Sequence, residues 1–197
     1  RQNFISVIYG GFGMAGMAFG EDYTESAWLV ETGKQKMDDY VGGLFGVEGE
    51  FNESVAYAGS VAQIVHYLMA ERYFHRGETQ PFTAHGFDDF CRWYMHFTFP
   101  PGHVAGFGDS KPNAPPVVFH YSALASALGD PVFQGFYLQY ADMTQPTHRK
   151  RSLELLYYDP TVAAVSPEGR MPLGRAYHDQ GKLISSRSSW DPERVVS

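Results

Sequence analysis

The residues best equipped for chemistry lie where a loop enters a helix. Gly49-Glu50-Phe51-Asn52-Glu53-Ser54-Val55-Ala56-Tyr57 reads as a polar loop that delivers a tyrosine to the first turns of a helix. A phenol can take or give a proton, but with a free pKa of about 10 it needs nearby donors or cations before it acts as a base. An amide such as Asn3 or Asn52 complements it, because it donates hydrogen bonds to a carboxylate without itself titrating. Glu53, and Asp109 within Phe107-Gly108-Asp109-Ser110, add carboxylates. This set suits abstraction of a proton next to a carboxylate, whose developing charge the amides would neutralise. Plainer roles fit the same residues. Tyr57 shares a helical stripe with Val61 and Ile64. Asn3 suits a helix N-cap ahead of Phe4, Glu53 suits a helix macrodipole, and Asp109-Ser110 suits a turn.

Other chemistries are poorly represented. The eight histidines show no H-x-H, H-x-x-x-H or H-E-x-x-H spacing, so no zinc site is expected. Phosphate-loop and G-x-S-x-G motifs are missing, and the glycines at 10–16 lie inside a helical pattern with no strand before them. The single Cys91 excludes an intrachain disulfide. A net charge of −7 argues against nucleic acid as a partner. No apolar run approaches the roughly 20 residues of a bilayer span, so membrane insertion is not expected either.

Four segments stand in a telling order: Arg1-Gln2-Asn3-Phe4, the 49–57 element, Phe107-Gly108-Asp109-Ser110, and Arg175 to Gly181 leading to Arg187-Ser-Ser-Trp190. This series resembles the heparinase II/III-like polysaccharide lyases, whose relatives include alginate lyases and dermatan sulfate epimerase. The resemblance spans nearly the whole chain, although each motif alone is short. It departs from the family at Gln2, where a first Asn is usual, and at Phe4, where some members carry His. It implies a mainly α fold: an incomplete α/α toroid of antiparallel helix pairs, followed by the start of a β-sandwich. It also implies cleavage of an acidic, uronic-acid-containing polysaccharide by β-elimination. Tyr57 would be the general base or acid and Asn3 would neutralise the uronate carboxylate, with Asn52, Glu53 and Asp109 lining the substrate. No cofactor is implied in this chain; a further catalytic histidine and any metal would come from the β domain. A periplasmic or secreted location follows from the same likeness, while the oligomeric state stays open. Three other readings share these residues: a uronyl C5-epimerase, a toroid glycoside hydrolase drawing on Glu50, Glu53 and Asp109, and a non-catalytic carbohydrate-binding helical scaffold. An acidic protein acting on an acidic polymer also needs a local cleft that offsets its own field.

The elements that would position these groups follow from periodicity. Phe4, Val7, Ile8, Gly11, Ala15 and Ala18 recur at helical spacing, with glycines at 10, 11, 13 and 16 that suit close packing of another helix. A second helix is expected from about Asp22–Ser26 to Tyr40, stopped by Gly42-Gly43, and a third from about Glu53 to Tyr73. Further helices are expected over about Thr83–Phe99, Val118–Leu128, Pro131–Ala141 and Lys150–Tyr157, with a Gly/Pro-rich loop over 100–116. Helical texture ends after Pro160, and extended structure is expected only after about Arg175. The domain reading is therefore a toroid part over 1–159, a linker over 160–174 and the beginning of a β-sandwich over 175–197. With no initiator Met and no signal pattern at Arg1, the chain reads as an internal piece of a longer polypeptide. Trp28, Tyr40, Trp93, Tyr94 and Tyr137 are candidates for stacking on sugars, though each is more often a core residue.

Overall fold

The computed structural model describes residues 4–51, 53–61, 64–77, 80–111, 113–142, 151–180 and 182–194. The described residues are mainly helical, with two short antiparallel strand pairs. Helices α1 (Phe4–Phe19) and α2 (Ser26–Val41) form an antiparallel pair joined by a 3-10 turn. They approach closely because glycines face each other: a Cβ added at Gly33 would lie 2.5 Å from the Gly13 Cα. Gly16 meets the Ser26–Val30 turn of α2, and Gly10 meets Met37.

That contact turns α1 inside out. Gly10, Gly13 and Gly16 are buried, while Phe4, Val7, Ile8, Phe12 and Phe19 are exposed. The periodicity of the large apolar residues does mark the helix, but it marks the face that points outward.

The expected third helix appears as α3 (Val55–Val61) and α4 (Ile64–Phe74), with residues 62–63 between them outside the described set. The expected Thr83–Phe99 helix is shorter. It divides into α5 (Pro81–Ala84) and α6 (Phe87–His96) at Gly86, whose φ of +66° suits glycine and breaks the helix. Its end gives way to β1 (Thr98–Phe99), which pairs with β2 (His103–Val104), so extended structure occurs well before Arg175.

Helices α7 (Phe119–Leu128) and α8 (Pro131–Tyr140) follow the sequence punctuation. Gly129 ends α7 at φ +65°, and Asp130 caps α8 by accepting from the Val132 and Phe133 N–H groups at 2.8 and 3.3 Å. Helix α9 (Arg151–Tyr157) packs on α7. The core lies around α6 and α7, where Tyr67, Phe82, Phe87, Phe90, Trp93, Tyr94, Tyr121, Phe133 and Phe136 are buried. Its phenols are satisfied: Tyr121 donates to the Cys91 carbonyl at 2.7 Å, and Tyr94 accepts from the Val117 N–H at 3.0 Å.

Residues 160–174 lie against α8. The Val165 N–H donates to the Pro131 carbonyl, and a Cβ at Gly135 would fall 2.1 Å from the Val165 oxygen. Strands β3 (Gly174–Ala176) and β4 (Ile184–Ser186) then form a hairpin with Arg175 opposite Ser185. Ser185 donates to the His96 carbonyl at 2.7 Å, which docks the hairpin on the end of α6.

Candidate functional site

The start of α3 is where two of the sequence motifs meet, the 49–57 element and the 107–110 loop. Phe51 is driven into the core against Phe90 and Trp93, and Val55, at the start of α3, is fully buried. Ser54 accepts the Tyr57 N–H at 3.3 Å, a helix-capping bond that satisfies a first-turn donor. The next donor is met from far away in sequence, because Ser110 accepts the Ala56 N–H at 2.8 Å. Gly108 makes this approach possible: its φ is +58°, and an added Cβ would sit 3.0 Å from the Ser54 Cβ. Phe107 anchors the same loop on Phe97, with ring centroids 6.0 Å apart.

Around this contact the side chains divide by exposure. Tyr57 is 41% exposed, and Glu53 and Asp109 also reach solvent. Since Ser54 and Ser110 accept backbone N–H groups, their own hydroxyl protons are available to donate. Asn3 and Asn52 lie outside the described residues. Ser6, near the start of α1, reaches Tyr40 near the end of α2. Buried Tyr40 shares a side-chain hydrogen bond with Ser6 and also feels Glu53. Burial and then the Glu53 charge push the Tyr40 phenol above its ordinary pKa, partly offset by the Ser6 bond. Tyr40, a sugar-stacking candidate in the sequence whose plainer reading was core, is buried.

Glu50, seven residues before Tyr57, has a different task. Its carboxylate is fully buried and accepts the N–H groups of Glu48 at 2.9 Å, Asp179 at 2.9 Å and Gln180 at 3.1 Å. Burial by itself would raise its pKa, but these bonds outweigh burial and hold it below the usual carboxylate range. Gly46 leaves the room, because a Cβ there would meet the carboxylate at 2.3 Å. Glu48 accepts the His178 N–H at 3.2 Å and lies 3.8 Å from the Arg175 guanidinium. Asp179 in turn accepts the Val47 N–H. The loop leading to α3 is thereby fastened to the hairpin turn.

A second polar group lies under the hairpin. The Arg187 guanidinium donates to the carbonyls of Met95, His96 and Thr98 at 3.1, 2.9 and 3.1 Å, and rests 3.5 Å over the Trp190 ring. Burial lowers its pKa to about 10. The fully buried His96 ring makes no protein hydrogen bond through either nitrogen; burial first, then Arg187 and Arg175, lower it to about 4. Likewise His120 is enclosed by Phe87, Tyr94, Phe119 and Tyr121, and burial lowers it to about 3. Both are neutral core histidines. Of the candidate sugar-stacking aromatics, Tyr40, Trp93, Tyr94 and Tyr137 are buried, leaving Trp28 exposed.

Among the described residues, no group of three or more His, Cys, Asp or Glu is arranged to hold a metal ion. No helix among them is long and apolar enough to cross a membrane. No protein-family model, curated protein or solved structure matches the chain.

Proposed function

We propose that this chain carries the catalytic tyrosine of a lyase that cleaves an acidic, uronic-acid-containing polysaccharide by β-elimination. In this reading the helices belong to an α/α toroid and the hairpin opens a β-sandwich. Tyr57 removes the C5 proton, which lies α to the uronate carboxylate, and hands a proton to the departing O4. Asn3 neutralises the carboxylate, with Asn52, Glu53 and Asp109 along the substrate. Acting on such a polymer, the protein works in the periplasm or outside the cell.

One observation carries the reading. The half-exposed Tyr57 phenol stands at the start of α3, where the 107–110 loop is bonded to the helix's first turn. An inward-facing core tyrosine would not be so exposed. Convergence of separate segments is also what proton abstraction needs, since the group that holds the carboxylate and the group that reaches C5 must be fixed relative to each other. The glycosidase reading requires two carboxyl groups flanking the bond; with Glu50 withdrawn into backbone bonds, it would rest on Glu53 and Asp109. The C5-epimerase shares the first proton transfer and differs in leaving O4 bonded.

The test is Tyr57→Phe, assayed by the ultraviolet absorbance of the unsaturated uronate product on a panel of polyuronates. The variant keeps its helical circular dichroism and loses at least about 10²-fold in kcat, the low end for a lost acid–base group. Wild-type turnover in the variant removes Tyr57 from the chemistry. Proton exchange at C5 without unsaturated product selects the epimerase.

A further inference from the structure

Tyr57 is held from below rather than at its tip. Its ring is half-exposed, and among the described residues the phenol oxygen has no hydrogen-bond partner and the ring no aromatic neighbour. The place of the hydroxyl is therefore set by the backbone turn that carries it. The first N–H groups of an α-helix find no partner inside the helix, so a turn at that end is only as fixed as the groups that cap it. In α3 the Tyr57 N–H is met locally by Ser54, whereas the Ala56 N–H donates at 2.8 Å to Ser110, 54 residues further along the chain. Ser110 is buried, which shields that bond from competing water.

The loop is shaped to deliver this one oxygen. Phe107 packs on Phe97, the Ser110 N–H closes the turn on the Phe107 carbonyl at 3.2 Å, and Gly108 lies against Ser54 with φ at +58°. Asp109, inside the same turn, stays exposed. Within Phe107-Gly108-Asp109-Ser110 the serine thus serves the backbone of α3, while the acid is left to solvent. We infer that Ser110 is a positioning residue for Tyr57: by holding the Ala56 N–H it fixes the first turn of α3, and with it the point at which the phenol meets the substrate. The inference rests on the reading of Tyr57 as the acid–base group. Such a group must stand within hydrogen-bond reach of the atom it serves, and a misplacement of about 1 Å can cost about 10²-fold in rate. Ser110 acts through the turn and does not touch the substrate, so its loss falls on kcat and leaves KM unchanged.

The experiment is a double-mutant cycle of Ser110→Ala and Tyr57→Phe, with kcat and KM read from the unsaturated product on the polyuronate that the wild type cleaves fastest. Ser110→Ala lowers kcat by about 10-fold or more, within the range that such a misplacement spans, and keeps its circular dichroism. In the Tyr57→Phe background the same substitution changes nothing further, because the group it positions is gone. Ser110→Thr keeps the accepting oxygen and restores kcat. Ser122→Ala removes another buried seryl bond, from Ser122 to the Phe119 carbonyl at 2.8 Å in α7, and leaves kcat at the wild-type value. Amide exchange followed by NMR gives a readout apart from turnover: the Ala56 N–H exchanges faster in Ser110→Ala while the amides of α7 do not. A crippled Tyr57→Phe beside an unimpaired Ser110→Ala overturns the inference alone. So does an equal loss from Ser110→Ala in both backgrounds, or an Ala56 amide that exchanges as before. Wild-type turnover in Tyr57→Phe, or no turnover on any polyuronate, overturns the reading of Tyr57 and this inference with it.

Discussion

The α1/α2 pair and the α6/α7 region are both apolar, yet they bury opposite kinds of residue. Around α6 and α7 the rings of Phe87, Phe90, Trp93, Tyr94 and Tyr121 point inward, and hydrogen bonds with a backbone N–H and a carbonyl close off the two phenols. In α1, Gly10, Gly13 and Gly16 point inward while Phe4, Phe12 and Phe19 point outward. Hydrophobicity alone therefore did not choose the buried face. Where two backbones come within contact distance, the smallest residues occupy the seam and large ones are displaced to the rim, whatever their transfer free energies.

The largest expected effect tests that seam. Gly33→Leu forces a side chain into the Gly13 backbone and costs at least about 3 kcal/mol, as overpacking without relief does. Phe4→Ser on the outward face of the same pair, at a ring 65% exposed, costs less than about 0.5 kcal/mol, in the range of exposed substitutions. Urea denaturation compares the two, and equal losses would erase the distinction between the regions.

Next comes the polar closure of the inner region. Glu50→Gln puts an amide NH2 against N–H groups that now meet a carboxylate, and is expected to cost about 2 kcal/mol. The midpoint of urea unfolding at pH 7 measures it, and an unchanged midpoint would show that the hairpin turn is held by other contacts.

The smallest effect is in the pH dependence. His120 is lowered from its ordinary 6.5 to about 3 and His96 to about 4, so between 6.5 and those values the unfolded chain binds protons that the folded chain refuses. Their contribution to stability is complete above pH 6.5 and is lost as pH falls through the window. From pH 6.5 to 5 each histidine withdraws about 1.5 kcal/mol, a range in which Glu50, lowered below its ordinary 4.5, stays ionised. His120→Phe should flatten that slope by one histidine's share. An unchanged slope would mean that His120 takes up its proton in the folded state.

Much of this architecture is legible from local punctuation. Gly129-Asp130-Pro131 announces the end of α7 and the cap of α8 because each residue acts within its own turn. The direction of α1 was not legible. Periodicity gives the angle between residues but not which side another helix will occupy. The break at Gly86 was hidden because Phe87 and Phe90 keep a helical rhythm with the residues before them. At the candidate site, Tyr57 and the 107–110 loop were visible as separate motifs, and the bond from Ala56 to Ser110 crosses 54 residues. Glu50 read as a carboxylate available to a glycoside hydrolase because its partners, the N–H groups of Asp179 and Gln180, carry no side-chain signature.

Arg187 sets an order of events in the making of the molecule. It serves the last two carbonyls of α6 and that of Thr98 in β1 from 92, 91 and 89 residues further along the chain. During synthesis α6 emerges long before the side chain that completes it, and its final turn must wait with open acceptors until Arg187 and Trp190 arrive. Contacts of such separation close slowly, because a long loop loses its freedom before the contact is made. The end of α6 is therefore among the last parts of the helical body to become rigid, and it does so together with the hairpin.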